Sequence, residues 1–189
     1  MNRFQLLAVA AAVTTLGACG SQPAGTTATA AGSTSRAAPP SIAKATARLE
    51  PTRGSSASGT VSFEQHGDHV MVVAKVSGLK PNQEHGFHAH ENGDCSSGDG
   101  MSTGGHFNPN GKPHGPQNAD HHAGDMPALK ADASGNAEAR FHLTGVSIGS
   151  GPADLVGKGL IVHAQPDDYT TQPTGNAGAR IACGVIRAG

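Results

Sequence analysis

The chain reads as an all-β protein, a β-sandwich or flattened barrel with long functional loops, and three observations predict it. Apolar residues recur in short alternating runs, Gly-rich turns (27 glycines in all) separate the runs, and no segment holds a 3.6-residue apolar period. The 189 residues suffice for one domain with a real core. A formal charge of −1 points to neither a nucleic-acid partner nor a broadly basic membrane-binding face. No apolar run reaches the length of a transmembrane helix.

The first element is a targeting segment, residues 1–18, with Arg3 followed by a short apolar stretch over 6–13. It ends in Leu16-Gly17-Ala18-Cys19, which resembles the lipobox of bacterial lipoproteins. That resemblance implies cleavage before Cys19, lipidation of Cys19, export, and a periplasmic-side membrane anchor. Gly20 is compatible with sorting to an outer membrane. Residues 19–42 hold almost nothing but Ala, Thr, Ser, Gly and Pro, the composition of a disordered tether. Charged and β-branched residues return near Ala43, so the folded domain is expected over 43–189.

Within the domain, residues 58–66 alternate Val61 and Phe63 with polar positions and end at the turn signal Gly67-Asp68. Residues 70–76 form a second run, stopped by Gly78 and Pro81, and residues 85–90 a third. Residues 128–133 and 137–143 flank Ser134-Gly135-Asn136 and predict a hairpin; residues 160–163 and 181–186 are the last two strands. Between them, residues 92–126 lack apolar periodicity and are rich in Gly, Pro, Asn and His. A loop this long inside a compact domain is expected to be functional.

Export also organises the three cysteines. With Cys19 given to lipid, Cys95 and Cys183 remain, and an oxidising compartment would join them. They are 88 positions apart, so closing the loop would stabilise the fold by roughly 4–5 kcal/mol in the chain-entropy model.

Eleven histidines accompany only five phenylalanines and one tyrosine. His88 and His90 are two apart on a strand and point to one face, where His163 on a later strand can join them. An all-nitrogen set favours Cu(II). His106, His114, His122 and Asp125 lie on the long loop and offer the imidazole-and-carboxylate set that suits tetrahedral zinc. His66, His69, His85, His121 and His142 have no such pattern and read as surface or structural.

The residues that carry these donors resemble a known family. Gly86-Phe87-His88-Ala89-His90, Gly93-Asp94-Cys95, Gly105-His106-Phe107-Asn108-Pro109, His122-Ala123-Gly124-Asp125 and the run from Gly175 through Arg180 and Cys183 to Ile186 look like copper–zinc superoxide dismutase, over roughly residues 44–187. The position of Cys95 after Gly93-Asp94 looks like the bacterial secreted branch. The resemblance implies an eight-stranded antiparallel Greek-key barrel and one copper and one zinc ion per chain. It also implies dismutation of superoxide to dioxygen and hydrogen peroxide, protecting the exported compartment. By position, His88, His90, His106 and His163 would bind copper. His106, His114, His122 and Asp125 would bind zinc, with His106 bridging the metals. Asp167 would link ligands of the two metals, Arg180 would hold the superoxide anion beside copper, and His106 would supply a proton.

The chain departs from eukaryotic relatives in one respect: residues 164–178 carry only Asp167 and Asp168 as charges and no lysine. Lys112 is the residue expected to steer the anion instead. Two other readings are a copper-buffering protein without turnover, against which Arg180 argues, and a copper-only variant, against which His114, His122 and Asp125 argue. The chain could be a monomer or a homodimer.

Overall fold

The computed structural model describes residues 43–189; the signal peptide, Cys19 and the tether expected within 1–42 lie outside the described residues. Period-two alternation builds the sheet. In β1 (Lys44–Pro51), Ala45, Ala47 and Leu49 turn inward while Lys44, Thr46 and Arg48 face solvent. β2 (Ser58–His66) and β3 (His69–Ser77) follow as a hairpin, with Gly67 at φ +60° in its two-residue turn. The remaining strands are β4 (Glu84–His85), β5 (Phe87–His90), β6 (Leu129–Lys130), β7 (Ala137–Thr144), β8 (Gly159–His163), β9 (Arg180–Val185) and β10 (Arg187–Ala188).

Eight of these strands form one antiparallel sheet in the order β5-β8-β9-β1-β2-β3-β7, with β10 pairing the start of β1. The sheet curls so that its two ends approach. Phe87 on β5 meets Phe141 on β7 edge to face, ring centroids 6.5 Å apart, although the two strands share no ladder. The small β4–β6 ladder lies beside this closure, since β4 leads into β5 and β6 precedes β7. The result is a flattened, incompletely hydrogen-bonded barrel. Phe63, Phe87, Leu49, Leu129, Leu143 and Leu160 fill it, each contributing roughly 1.5–3 kcal/mol by leaving water.

Three strand expectations change. The run 85–90 is two strands: His85 pairs with Leu129, and Phe87 pairs with Val162. The switch falls at Gly86, whose N–H donates to Gln165 at 2.9 Å and where a Cβ would lie 2.7 Å from that of Ala177. The expected hairpin of 128–133 with 137–143 does not form, because β6 pairs with β4. Asp132 instead folds the intervening turn, accepting hydrogen bonds from Ser134 and Asn136. Alternation suits either partner, and contacts distant in sequence choose between them. β1 carries little apolar signal in the sequence, because alanines occupy two of its inward positions.

Candidate metal centre

β5 is the platform. Phe87 and Ala89 enter the apolar core, while His88 and His90 occupy the opposite face, fully buried beneath the long loop. That loop has one regular element, a 3₁₀ turn at Met101–Thr103, yet it is ordered by backbone pairing along the open edge of β5. Ala89 N–H donates to Gly124 at 2.8 Å, Phe107 N–H to Ala89 at 2.9 Å, and Glu91 N–H to Gly105 at 3.0 Å. Two isolated bridges, His90 with His106 and His88 with Asp125, set the loop donors beside the strand donors. Gly124 is required here, because a Cβ would lie 2.2 Å from the Ala89 carbonyl oxygen. β8, the other neighbour of β5, delivers His163.

Two donor sets result, each with ligand atoms all within 4.8 Å of one another: His88, His90, His106 and His163, and His106, His114, His122 and Asp125. They are the two sets expected from the sequence, and His106 belongs to both.

The first set has a hydrogen-bond pattern that a cation would complete. One nitrogen of each ring is held from behind: His88 Nε2 by Asp167 at 2.6 Å, His90 Nδ1 by the Gly104 carbonyl at 2.9 Å, and His163 Nδ1 by the Gly178 carbonyl at 3.1 Å. In His106, Nδ1 instead faces the second set, 2.7 Å from Asp125 Oδ1. A ring that donates to a carbonyl or carboxylate keeps a bare lone pair on its other nitrogen. Those other nitrogens, His88 Nδ1, His90 Nε2, His106 Nε2 and His163 Nε2, are buried and have no hydrogen-bond partner. Acceptors cannot satisfy one another, and leaving them unpaired in the interior is costly. Burial, with neighbouring positive charge adding to it, lowers the His88 pKa to about 4 and that of His163 to about 3, and holds His90 well below its usual value. These rings are therefore neutral at physiological pH, the state in which imidazole binds a metal.

The second set is crowded in the same informative way. His114 Nδ1 sits 3.0 Å from Asp125 Oδ2 without the angles of a hydrogen bond, so both atoms aim past one another. His122 Nδ1 is 3.4 Å from both His106 Nδ1 and Asp125 Oδ1. The backbone N–H groups of Gly115 and His122 anchor the Asp125 carboxylate at 3.2 and 2.9 Å. Burial opposes ionisation of Asp125, but the adjacent His106 and His114 imidazoles outweigh it and hold it far below the usual carboxylate range.

Asp167 links the sets, with Oδ2 on His88 and Oδ1 on His114 at 2.8 Å. Arg180, at the start of β9, is fastened by three bonds: Nη1 to the Gly100 carbonyl at 2.7 Å and Thr103 Oγ1 at 2.8 Å, and Nη2 to the Gly104 carbonyl at 2.7 Å. Cys95 and Cys183 form a disulfide, Cα atoms 5.9 Å apart, that ties the start of the loop to β9.

A scan against protein-family models matches residues 57–186 to copper/zinc superoxide dismutase. The chain belongs to this family. A Brassica juncea protein named superoxide dismutase [Cu-Zn] 2 is 46% identical over 137 residues, covering 68% of this chain and 88% of its own. One of the same name from Aquifex aeolicus (strain VF5) is 41% identical over 149 residues, covering 76% and 86%. Among solved structures, the clock protein EA4 has a TM-score of 0.70 at 38% identity, covering 77% of this chain and 94% of its own. A superoxide-dismutase-like protein from Bacillus subtilis has 0.67 at 33%, covering 74% and 96%. The donor chemistry of this copper/zinc superoxide dismutase fits one copper and one zinc per chain.

Several residues of the centre escaped sequence reasoning. Gln172 clasps the His114 backbone in both directions, accepting from its N–H at 2.8 Å and donating to its carbonyl at 2.9 Å. Tyr169 lies parallel to the His114 ring, centroids 6.4 Å apart. Neither has a local pattern to betray it. His85 is fully buried rather than at the surface, with Nδ1 donating to the His163 carbonyl at 2.8 Å, so it is structural. Lys112 faces Asp120 at 3.1 Å, and the pairing weakens the steering field expected of it.

Proposed function

We propose that this enzyme dismutates superoxide on the outer side of a membrane, anchored through Cys19 and the tether. Copper is held by His88, His90, His106 and His163, and zinc by His106, His114, His122 and Asp125. Bound copper supplies reversible one-electron chemistry, by which one superoxide is oxidised to dioxygen and a second, taking two protons, is reduced to hydrogen peroxide. Zinc is d¹⁰ and contributes order rather than electrons.

The protein's own part is positioning. Arg180 presents a fixed cation to the anion, and its three bonds leave little orientational freedom to lose on binding. His106, shared by the two donor sets, stands where it can pass a proton to the reduced oxygen. The carbonyls behind His90 and His163, and Asp167 behind His88, keep those rings in one tautomer.

The observation that carries the reading is the convergence of four buried ring nitrogens without a hydrogen-bond partner beside a tethered arginine. Export is supported by the lipobox-like Leu16-Gly17-Ala18-Cys19 and by the disulfide, a bond that persists in oxidising compartments. Metal analysis with a dismutation assay tests the activity. One copper and one zinc per chain, with turnover abolished by His163→Ala, supports it; both metals without turnover makes the chain a metal store. Fatty-acid labelling that disappears in Cys19→Ser tests the anchor.

A further inference from the structure

Three histidines that the metal centre does not use meet on the outer face of the barrel. His66 and His69 are a directly opposed pair at the end of the β2–β3 hairpin. On the other side of β3, His69 faces Thr144, which places His142 two residues away on the same outward face of β7. The His66 and His69 rings lie nearly parallel with centroids 5.9 Å apart, and His69 and His142 meet edge-on at 4.7 Å. The next row across the same strands is Glu64, Met71 and His142, so a carboxylate and a thioether border the imidazoles.

We propose that His66, His69 and His142 form an exchangeable surface site for a divalent late transition metal, with Cu(II) as its tightest ligand. Three imidazoles beside a carboxylate are donors such ions prefer, and the usual affinity order puts Cu(II) above its neighbours. His69 already has the outer partner that metal-binding histidines share: Nδ1 lies 3.1 Å from Asp68 Oδ1, which turns Nε2 away as the free ligand atom. His66 Nε2 is 3.5 Å from Glu64 Oε2, side by side with a second anionic donor. That carboxylate also engages Lys44 through its other oxygen at 2.8 Å, so one oxygen stays open to an ion. The only donor sets already drawn to within 4.8 Å among the described residues are the two buried ones. The outer three are partly or fully exposed, so rotation about their side-chain bonds is enough to close on an ion. Such a site is shallow and exchangeable, unlike the enclosed centre beneath the loop.

The test is a titration of the protein, already loaded with copper and zinc, with Cu(II) followed by calorimetry and electron paramagnetic resonance. The expected result is one further equivalent per chain with a nitrogen-coordinated spectrum of its own. The triple variant His66→Gln/His69→Gln/His142→Gln loses that equivalent, whereas His121→Gln, at a histidine outside the cluster, keeps it. Unchanged dismutation in the triple variant checks that the fold and the buried centre are intact. A third equivalent that persists in the triple variant, or its absence from the unaltered protein, overturns the proposal.

Discussion

Arg180 and His90 share one acceptor. The Gly104 carbonyl receives Nη2 of the arginine at 2.7 Å and Nδ1 of the histidine at 2.9 Å. A single peptide group thus sets both the tautomer of a copper-set ring and the place of the cation meant for the substrate. Arg180→Gln removes the charge and the three guanidinium bonds but leaves all seven donors. Charge-assisted hydrogen bonds are worth about 1.5–3 kcal/mol, so kcat/KM falls by roughly 10–100-fold. Metal content, read by mass spectrometry on the same sample, stays at one copper and one zinc.

Among the described residues, Asp167 is the only side chain that touches a ring of each set from behind, His88 at 2.6 Å and His114 at 2.8 Å. Asp167→Asn can accept from only one of them, and the other ring is free to take the wrong tautomer. Outer carboxylates of this kind are worth about 10–100-fold in metal affinity. Competition against a coloured chelator therefore shows at least one of the two metals held more weakly. Loss of neither would separate Asp167 from the centre.

Without metals, His114 responds to pH in the opposite direction from His88 and His163. Burial disfavours the His114 cation, but Asp125 and Asp167 on either side overcome it and raise its pKa to about 9 from the usual 6.5. That stabilisation is complete below pH 6.5 and is lost as pH rises through 9. His88 and His163 are lowered to about 4 and 3, so their contribution is present above pH 6.5 and fades on acidification. Calorimetry of the metal-free protein should find the highest Tm near pH 6.5, falling on both sides. Zinc uptake at pH 8 should release a proton from His114, read as a buffer-dependent heat.

The Cys95–Cys183 bridge closes a loop of 88 residues and holds it against the strand that begins with Arg180. Replacing both cysteines with alanine should destabilise the protein by about 2–5 kcal/mol in denaturant titration. Activity should fall further than metal content, because Gly100 and Gly104, which hold Arg180, lie on the released loop.

Much of the centre could be read from residue order. The two-residue spacing of His88 and His90 puts both on one face of any strand, and the loop's donors were conspicuous because Gly, Asn and Pro around them cannot build a core. Gly104 and Gln172 could not be read that way. Their roles depend on a backbone carbonyl and an amide brought close by folding, and a carbonyl is the same group in every residue. Lys112 reads as a free cation until Asp120 is placed beside it. The strand pairing of residues 128–133 failed for a related reason, since alternation specifies a buried face and not the neighbour that buries it.

Local chemistry in the chain was enough to set the donor types, the strand faces they occupy and the two cysteines free to pair, because each depends on side-chain identity or period-two geometry. Folding chose which ring nitrogen is bare, which carboxylate stands behind which imidazole, and which carbonyls hold Arg180. Those depend on atoms as many as 80 positions apart meeting within 3 Å, and short-range patterns carry no record of such distances.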